Sequence, residues 1–383
     1  MTADIASLRI DTERLLNRLD ELGRIGGIEG PDGERGCARL ALTDDDGAGR
    51  DLVVTWMRDL GLTVEIDEIG NVFATRGGTD PSLAPVMTGS HIDTVRTGGR
   101  FDGNLGVLAG LEALETIITA GFETPRGITV AFFTDEEGAR FPPDMLGSLV
   151  YVGGMPLEEA LDVRAVDDDA RLGDELTRIG YSGPLPAPAA RFPHAFVELH
   201  IEQGPILEDE GVTIGVVEGV QGISWTELTI TGRSAHAGTT PMRLRRDPLL
   251  AGARIADGVR RIADELGGDQ VATVGRFEPH PNLVNVVAQS AVLTVDLRNT
   301  SEAVLRDAEQ RFGRLIDEVC TAEGVTVERR TLARFEPVEF DPSMIECVES
   351  IARSLGHSTR RMPSGAGHDA QMLARVCPCL LYT

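Results

Sequence analysis

The sequence predicts an α/β protein in which a discontinuous α/β domain carries an inserted, ferredoxin-like α+β domain. In the first half, short β-branched runs alternate with helical patterns, as in a domain with a largely buried sheet. From about Val216 the pattern changes to alternating strands with two amphipathic helices, and after about Phe335 the α/β pattern returns. We therefore expect one domain over residues 1–215 and 335–383 and a second over residues 216–334.

Individual segments of the first domain support this prediction. Two runs are typical of strands that continue into loops, VMTGSHIDTV and ITVAFFTDEE. Between them, NLGVLAGLEALETIITAG has apolar residues at helical spacing and stops at Gly121, a residue type common at helix C-termini. Near the end of the sequence, PSMIECVESIARSLG predicts a further helix before a Gly-rich loop.

The inserted domain is predicted from the order of its segments. SWTELTITG and NVVAQSAVLTVDLRN have the alternation of strands. DPLLAGARIADGVRRIADELG and SEAVLRDAEQRFGRLIDEVCTAEG have the periodicity of amphipathic helices. Together they indicate a β-α-β-β-α-β order, which is typical of a ferredoxin-like domain.

Composition limits the classes of partner. The chain has 383 residues, 42% of them hydrophobic, which suits two packed domains. A net charge of -25 argues against nucleic acid and anionic membranes, so we expect a small-molecule substrate. No lysine occurs, which excludes Walker-type phosphate loops and Schiff-base chemistry. Because no apolar run approaches the length of a membrane span and the charged N-terminus has no signal-peptide core, we expect a cytoplasmic protein.

Four segments place chemically active side chains at the ends of predicted elements: GSHIDTV, GRFDGNLG, FFTDEEGARF and ELHIEQGP. They include His91, Asp93, Asp102, Glu136 and Glu137, near the sheet edge where α/β proteins bind ligands. A pair of divalent ions about 3.5–4 Å apart needs a bridging carboxylate, terminal imidazoles and carboxylates, and a further carboxylate to take a proton from water. The alternative is a set of unrelated surface carboxylates and core histidines. Agreement among four segments favours the metal site.

The sequence resembles a known family over nearly its whole length. The segments that carry the resemblance are GSHIDTV, DGNLGVLAGLEAL, FFTDEEGARFPPDMLGS, ELHIEQGPILE, GRSAHAGTTPM, NVVAQSAVLTVDLR and SGAGHDAQ. They are similar to the N-carbamoyl-L-amino-acid hydrolase, allantoate amidohydrolase and β-ureidopropionase group of the M20-type metallohydrolases. HIEQGP and SGAGHDA point to this amidase branch, in which a third-strand histidine stands where the peptidase relatives have a carboxylate.

The resemblance implies a binuclear metal site with zinc or manganese ions, two per subunit in the family. His91, Asp102 and His200 would bind one ion, and Asp102 would bridge to a second ion held by Glu137. Glu136 would be the general base. Metal-dependent hydrolysis of an amide or ureido bond follows from these parts.

Supporting roles are also implied by the resemblance. The carboxylate of Asp93 would fix the tautomer of the His91 imidazole. The inserted domain would be a lid and dimerisation domain. Its His236 would stabilise the oxyanion in the active site of a partner subunit, which implies a homodimer. The alternative is that His236 is an ordinary strand-end histidine. His368 could orient its loop without touching the metal.

A substrate clamp is implied as well, formed by Gln203, Asn285, Arg298, Gly365 and Gly367. The forked guanidinium of Arg298 suits a substrate carboxylate, and backbone N–H groups at the two glycines can approach an anion closely. For Arg298 the alternative is a charge balance with its strand neighbour at position 296.

The second metal site is expected to be weak. The family pattern continues beyond ARVCP with a strand and a Gly-Ile-Ser-His loop whose histidine completes that site, whereas this sequence ends with CPCLLYT. We therefore expect a C-terminus that is apparently truncated. Possible substitutes are His368, Cys377 and Cys379.

The activity expected from the resemblance is cleavage of an N-carbamoyl-L-amino acid to the L-amino acid, carbon dioxide and ammonia. Allantoate amidohydrolase activity uses the same residues and remains an alternative. A peptidase or aminoacylase is opposed by His200 within HIEQGP. An alternative from a different functional class is a non-catalytic one: a truncated, catalytically impaired paralogue that only binds metal, ligand or a partner subunit.

We predict that salt stabilises the fold. The net charge of -25 makes the compact state repel itself, and added ions screen that repulsion. The melting temperature should therefore rise between ~0.1 M and ~1 M potassium chloride, as the screening length shortens. A flat or falling melting temperature would indicate that GC-rich coding, and not adaptation to salt, explains the missing lysines.

Overall fold

The computed structural model describes residues 8–30 and 33–383, which form two compact units. The first unit extends to Gly219 and resumes over Glu339–Thr383, and the second covers Val220–Val338. The expectation about a signal peptide concerns in part residues 1–7, which lie outside the described residues. Among the helices in the described ranges, none has both the length and the apolarity to cross a bilayer.

The helices and strands are numbered here in chain order. The strands are β1 (Gly27–Glu29), β2 (Arg35–Cys37), β3 (Thr63–Ile66), β4 (Val72–Arg76), β5 (Val86–His91), β6 (Gly98–Gly99), β7 (Ile128–Phe133), β8 (Ala195–Leu199), β9 (Ile214–Val220), β10 (Gly222–Thr231), β11 (Ala235–His236), β12 (Val271–His280), β13 (Val286–Val287), β14 (Ser290–Asn299), β15 (Thr326–Phe335), β16 (Val338–Glu339), β17 (Thr359–Ser364) and β18 (Cys379–Tyr382). The helices are α1 (Thr12–Leu22), α2 (Asp44–Asp59), α3 (Asn104–Thr119), α4 (Leu146–Tyr151), α5 (Leu157–Leu161), α6 (Leu172–Arg178), α7 (Ile206–Glu210), α8 (Pro248–Leu266), α9 (Glu302–Glu323), α10 (Pro342–Ser354) and α11 (Asp369–Leu373).

A mixed sheet forms the centre of the first unit. Over the described residues its strand order is β16-β9-β18-β8-β5-β7-β4-β3, and β17 also pairs with β9. The neighbouring strands β18, β8, β5 and β7 are parallel. In β7, five of the six residues are buried, as in a strand that is covered on both faces. The carboxyl ends of β5, β7 and β8 therefore meet at one edge of the sheet.

The helix between β5 and β7 determines which residues reach this edge. The predicted strands VMTGSHIDTV and ITVAFFTDEE are confirmed as β5 and β7, and the predicted helix between them is confirmed as α3. Gly121 follows the end of α3 with a φ of 66°, the left-handed conformation that stops a helix. α3 packs against β5, β7 and β8 through buried residues that include Leu108 and Leu111.

An ion pair between the half-buried Arg14 and the buried Glu112 attaches α1 to α3. Nε and Nη2 of Arg14 each lie 2.7 Å from an oxygen of Glu112, whose side chain is fully buried. The backbone N–H of Asp11 also donates to Glu112. Glu112 thus has a structural role: the guanidinium balances its charge, and the backbone amide adds a further hydrogen bond.

The second unit contains the predicted β-α-β-β-α-β order. Among its described residues, β12-β14-β10-β15 form an antiparallel sheet. α8 and α9 pack on this sheet and on each other around an apolar core that includes Leu228, Leu293 and Phe312. α8 begins where the side chain of Asp247 accepts the first backbone N–H groups, with Pro248 as the first helical residue.

Candidate metal centre

Three parallel strand ends bring the predicted metal-site residues together. His91 is the last residue of β5, Glu136 and Glu137 lie just beyond β7, and His200 directly follows β8. Asp102 lies just before α3, which packs on these three strands. Since neighbouring parallel strands end at the same edge of a sheet, the fold itself gathers these five residues.

His91 is oriented by its neighbours in the chain. Its Nδ1 lies 2.9 Å from the backbone carbonyl oxygen of Asp93. Because a carbonyl only accepts hydrogen bonds, Nδ1 carries the proton and Nε2 keeps a free lone pair. Nε2 lies 3.3 Å from Oε2 of Glu136. Gly103 lies against the face of the ring, where an added Cβ would be 2.5 Å from three ring atoms.

The carboxylate of Asp93 does not hold His91 as predicted. Its Oδ1 is 3.9 Å from Nδ1 of His91, farther than the backbone carbonyl of the same residue. The carboxylate instead accepts the backbone N–H groups of Glu136 and Glu137, at 3.2 and 3.3 Å. Backbone donors at a buried turn need partners, which explains why the carboxylate faces them. Asp93 therefore fixes the segment that carries both glutamates.

His200 and Asp102 form a second pair of potential ligands. Nδ1 of His200 lies 2.9 Å from the carbonyl oxygen of Ile201, and Nε2 lies 3.2 Å from Oδ1 of Asp102. Nε2 of Gln203 lies 2.9 and 3.2 Å from the two oxygens of Asp102. Gln203, which was predicted to contact substrate, thus donates to a predicted metal ligand.

His91, Asp102 and His200 together have the donor set of a metal site. One ligand atom from each lies within 4.8 Å of the others. Two imidazoles and a carboxylate suit a divalent transition metal. Burial, with a smaller contribution from His200, lowers the pKa of His91 to about 4, so the His91 ring is neutral, as a ligand must be.

The two glutamates are buried among other carboxylates. Burial raises the pKa of Glu136 well above its ordinary value, and repulsion from Asp369 and Glu137 adds to the shift. Burial also raises the pKa of Glu137 to about 8, with repulsion from Asp93 and Asp102. Oε1 of Glu137 is buried and has no hydrogen-bond partner among the described residues. A divalent cation would relieve this crowding, so the residues present fit a bound metal.

A further group of potential ligands adjoins the first. Glu198, His200 and His368 also offer ligand atoms within 4.8 Å of one another. The ring centroids of His200 and His368 are 4.5 Å apart. Nε2 of His368 lies 2.9 Å from Oγ of Ser364, and its Nδ1 is buried without a partner in the described part of the chain. The contact with Ser364 agrees with a role of His368 in orienting its own loop.

In the second unit, the structure places His236 beside Asn285. The short strands β11 and β13 pair, and the backbone N–H of Ala237 donates to the carbonyl of Asn285. Nδ1 of the exposed His236 accepts the N–H groups of Gly238 and Thr239, at 3.0 and 3.3 Å. The neutral ring therefore carries its proton on Nε2, which makes it a hydrogen-bond donor.

The guanidinium of Arg298 is bound within its own strand. Its Nε and Nη2 lie 3.0 and 2.9 Å from Oδ2 of Asp296, and its Cζ lies 5.6 Å from the ring centre of Trp225. This geometry agrees with the alternative interpretation, in which Arg298 balances a strand neighbour. A substrate carboxylate would have to share the guanidinium with Asp296.

The two glycines of the C-terminal loop differ in their surroundings. A Cβ on Gly367 would lie 2.9 Å from Cε of Met145, whereas a Cβ on Gly365 would meet nothing within 4 Å in the described part of the chain. Position 367 is therefore the more closely packed of the two, although the neighbouring atom is the end of the flexible Met145 side chain. The loop is anchored by Ser364, whose Oγ accepts the N–H of Ala366 at 3.2 Å.

Three buried carboxylates of the site were not predicted: Asp135, Glu198 and Asp369. Glu198 lies in β8 with its side chain fully buried, and Asp369 begins α11 with its side chain fully buried. A signal for Glu198 was present in the sequence. It alternates with Phe196 and His200 on a strand, so it faces the same side as a predicted ligand, where an unpaired carboxylate would be costly.

Comparisons with known proteins show the family to which the chain is similar. Residues 87–383 match the model of the peptidase family M20/M25/M40. The chain is 43% identical to an N-carbamoyl-L-amino-acid amidohydrolase of Rhizobium meliloti, over 99% of this chain and 92% of that protein. It is 37% identical to the allantoate amidohydrolase of Escherichia coli (strain K12), over 84% of this chain and 79% of that protein.

A solved structure is similar over almost the whole chain. An amidase of the hydantoinase/carbamoylase family from Burkholderia multivorans has a TM-score of 0.91 and 45% sequence identity. The similarity covers 98% of this chain and 90% of that one. The mixed α/β fold described above is therefore the fold of these amidases.

We predict that Gly103→Ala weakens metal binding. The new methyl group would displace the His91 ring, so the affinity for Zn²⁺, measured by chelator competition, should fall by about tenfold or more. Gly121→Ala is the matched control, because the φ of Gly121, 66°, is similar to the 62° of Gly103. An added Cβ on Gly121 has no described atom within 4 Å. Equal affinities for the two variants would exclude the packing role of Gly103.

Proposed function

This chain belongs to the peptidase family M20/M25/M40, and we propose that it is a metal-dependent amidohydrolase that cleaves the linear C–N bond of a carbamoyl group. The proposed substrates are N-carbamoyl-L-amino acids, the class named for the Rhizobium meliloti relative. The observation that carries the proposal is the buried group of His91, Asp102 and His200, with Glu136 3.3 Å from His91.

The proposed cofactors are divalent ions, zinc or manganese, since mixed imidazole and carboxylate donors suit both. One ion would be held by His91, Asp102 and His200, the usual number of protein ligands in an open catalytic site. Asp102 would bridge to a second, more weakly held ion at Glu137. Such ions act as Lewis acids that polarise a carbonyl oxygen and acidify water.

Glu136 is the proposed proton carrier. It lies at the carboxyl end of β7, and Asp93 holds its backbone N–H at 3.2 Å. A buried carboxylate with a raised pKa can accept a proton from water and return it to the leaving nitrogen. One water and one N-carbamoyl amino acid then give the amino acid, carbon dioxide and ammonia.

The first unit would be the metal-binding catalytic domain, and the second an inserted lid and dimerisation domain. His236 would donate from Nε2 to the oxyanion that forms in the active site of a partner subunit. Exposed apolar side chains of the same unit support a covered surface in a homodimer, among them Met242 at 70% and Leu283 at 59% exposure. A small molecule remains the proposed substrate, and we propose a cytoplasmic location.

Five residues are proposed to bind substrate: Gln203, Asn285, Arg298, Gly365 and Gly367. The loop of the two glycines offers backbone N–H groups to a carboxylate, as open glycine-rich turns do. Asn285 is exposed beside His236, so its side-chain amide could make a polar contact with the substrate. Gln203 would contact the substrate while its amide donates to Asp102, so it would hold the substrate next to a proposed metal ligand.

Allantoate is the second candidate substrate, because the Escherichia coli relative is named for it. Allantoate also carries ureido groups and a carboxylate, so the same residues would serve. Ammonia release from each substrate by the metal-loaded protein separates the two. Tight metal binding without turnover of either would favour the paralogue that only binds metal or ligand.

We predict that Glu136→Gln abolishes ammonia release while metal is retained. The amide cannot carry the proton, whereas the group of His91, Asp102 and His200 stays intact. Elemental analysis after dialysis should give the same ion content as the parent protein. Glu137→Gln is the contrasting variant, because loss of a ligand should lower the ion content. Turnover by Glu136→Gln at the parent rate would refute this role.

We predict that Arg298→Lys raises the KM by more than about tenfold if the guanidinium grips the substrate carboxylate, because an ammonium cannot make the forked contact. Arg334→Lys is the matched control, since Arg334 also lies in a strand of the second unit and is bound by Glu302 and Glu309. A KM of Arg298→Lys equal to that of the control would show that Arg298 has a structural role and does not bind the substrate carboxylate.

A further inference from the structure

Glu198 connects the three chain segments that carry the histidines of the site. It lies in β8, two residues before His200, and its side chain is fully buried. Alternate residues of a strand face the same side, so Glu198 and His200 face the same layer.

Each carboxylate oxygen of Glu198 accepts a hydrogen bond from a different segment. Oγ of Ser90 donates to Oε1 at 2.6 Å, and Ser90 directly precedes His91 in β5. The backbone N–H of Ala370 donates to Oε2 at 2.9 Å, and Ala370 lies two residues after His368. Both partners are distant in sequence, by 108 and 172 residues.

We propose that Glu198 is a positioning residue that fixes His91, His200 and the His368 segment relative to one another before metal binds. The inference deepens the proposed function and rests on the metal site in it. Two hydrogen bonds from different segments meet at this one buried side chain, so it ties both segments to the strand that carries His200. Loss of either contact should let one histidine move from its metal-binding position.

A different role for Glu198 would be direct metal binding with His200 and His368, which have ligand atoms within 4.8 Å. Both oxygens of Glu198 already accept a hydrogen bond, from Ser90 and from Ala370, so each is engaged with a chain segment before any ion binds. The observations therefore favour positioning. The two roles differ in the number of ions bound at saturation.

The experiment compares Glu198→Gln, Ser90→Ala and Glu112→Gln in the full chain. The amide of Glu198→Gln keeps only one acceptor oxygen: it either turns a donor toward the N–H of Ala370, or accepts from Ala370 and makes the Ser90 hydroxyl reverse from donor to acceptor. Either way, one of the two contacts of the carboxylate is lost or reversed. Ser90→Ala removes only the contact with β5 and is the milder change. Glu112→Gln is the matched control, because Glu112 is also a fully buried glutamate of the first unit, but it binds Arg14.

Each variant is stripped of metal and titrated with Zn²⁺ against a chelator, and melting of the metal-free form is measured beside it. We expect Glu198→Gln to weaken Zn²⁺ binding by about tenfold or more, as loss of a supporting contact does at metal sites. Ser90→Ala should weaken it less, and both should bind the parent number of ions at saturation. Glu112→Gln should lower the melting temperature without changing Zn²⁺ affinity.

Three outcomes would overturn the proposal. One is parent-like Zn²⁺ affinity in Glu198→Gln, or in Ser90→Ala if the first variant does not fold. Another is an equal loss of affinity in Glu112→Gln, which would make the effect one of general stability. The third is a lower ion count at saturation in Glu198→Gln, which would make Glu198 a ligand. Failure of the proposed function is distinct, because the parent would then bind Zn²⁺ without releasing ammonia from N-carbamoyl amino acids.

Discussion

The burial of many carboxylates at one sheet edge is the constraint on which the rest of this structure depends. The group comprises Asp93, Asp102, Asp135, Glu136, Glu198 and Asp369, all buried, together with the half-buried Glu137. Ions removed from water cost several kcal/mol each unless they are compensated. The nearby buried arginines do not provide this compensation by contact: Arg39 donates to backbone carbonyls and Asn104, and Arg50 pairs with Asp46. Bound cations would supply the missing positive charge, and this is the physical reason to treat the edge as a metal site.

The parallel strands make this arrangement possible. β5, β7 and β8 end at the same edge, so residues that are far apart in sequence arrive together. Backbone groups then fix their orientation: the carbonyls of Asp93 and Ile201 hold Nδ1 of the two histidines, and each Nε2 is directed at a carboxylate of the site. Carboxylates that do not face the centre hold backbone amides instead, as Asp93 does for the two glutamates after β7. The result is a rigid set of donors, which limits the reorganisation needed when an ion binds.

The elements and many site residues could be predicted from sequence because their signals are local. β5, α3 and β7 follow from runs and periodicity, and GSHIDTV with TDEEG mark the strand ends. The contacts that side chains choose could not be predicted in this way. Gln203 donates to Asp102 across 101 residues. For Arg298 the sequence offered both Asp296 and a substrate carboxylate, and only the structure shows the contact with Asp296. In both cases a carboxylate of the chain itself accepts from the side chain that, by the resemblance, would contact the substrate. Only three-dimensional packing decides between such partners.

The difference between local sequence signals and contacts made by packing also explains why His200 was predicted as a site residue and Glu198, two residues earlier, was not. The tautomer of His200 depends on Ile201, its immediate neighbour, so the short segment HIEQGP contains most of the information needed to recognise that ligand. The function of Glu198 depends on Ser90 and Ala370, and no local pattern reports contacts over such distances. Residues that bind the ion therefore stand out in short segments, whereas residues that hold those segments together are visible only once the sheet has formed. A buried acidic residue that alternates with a ligand on a strand is the one sequence signal of this second kind, because its burial requires partners that the strand itself cannot provide.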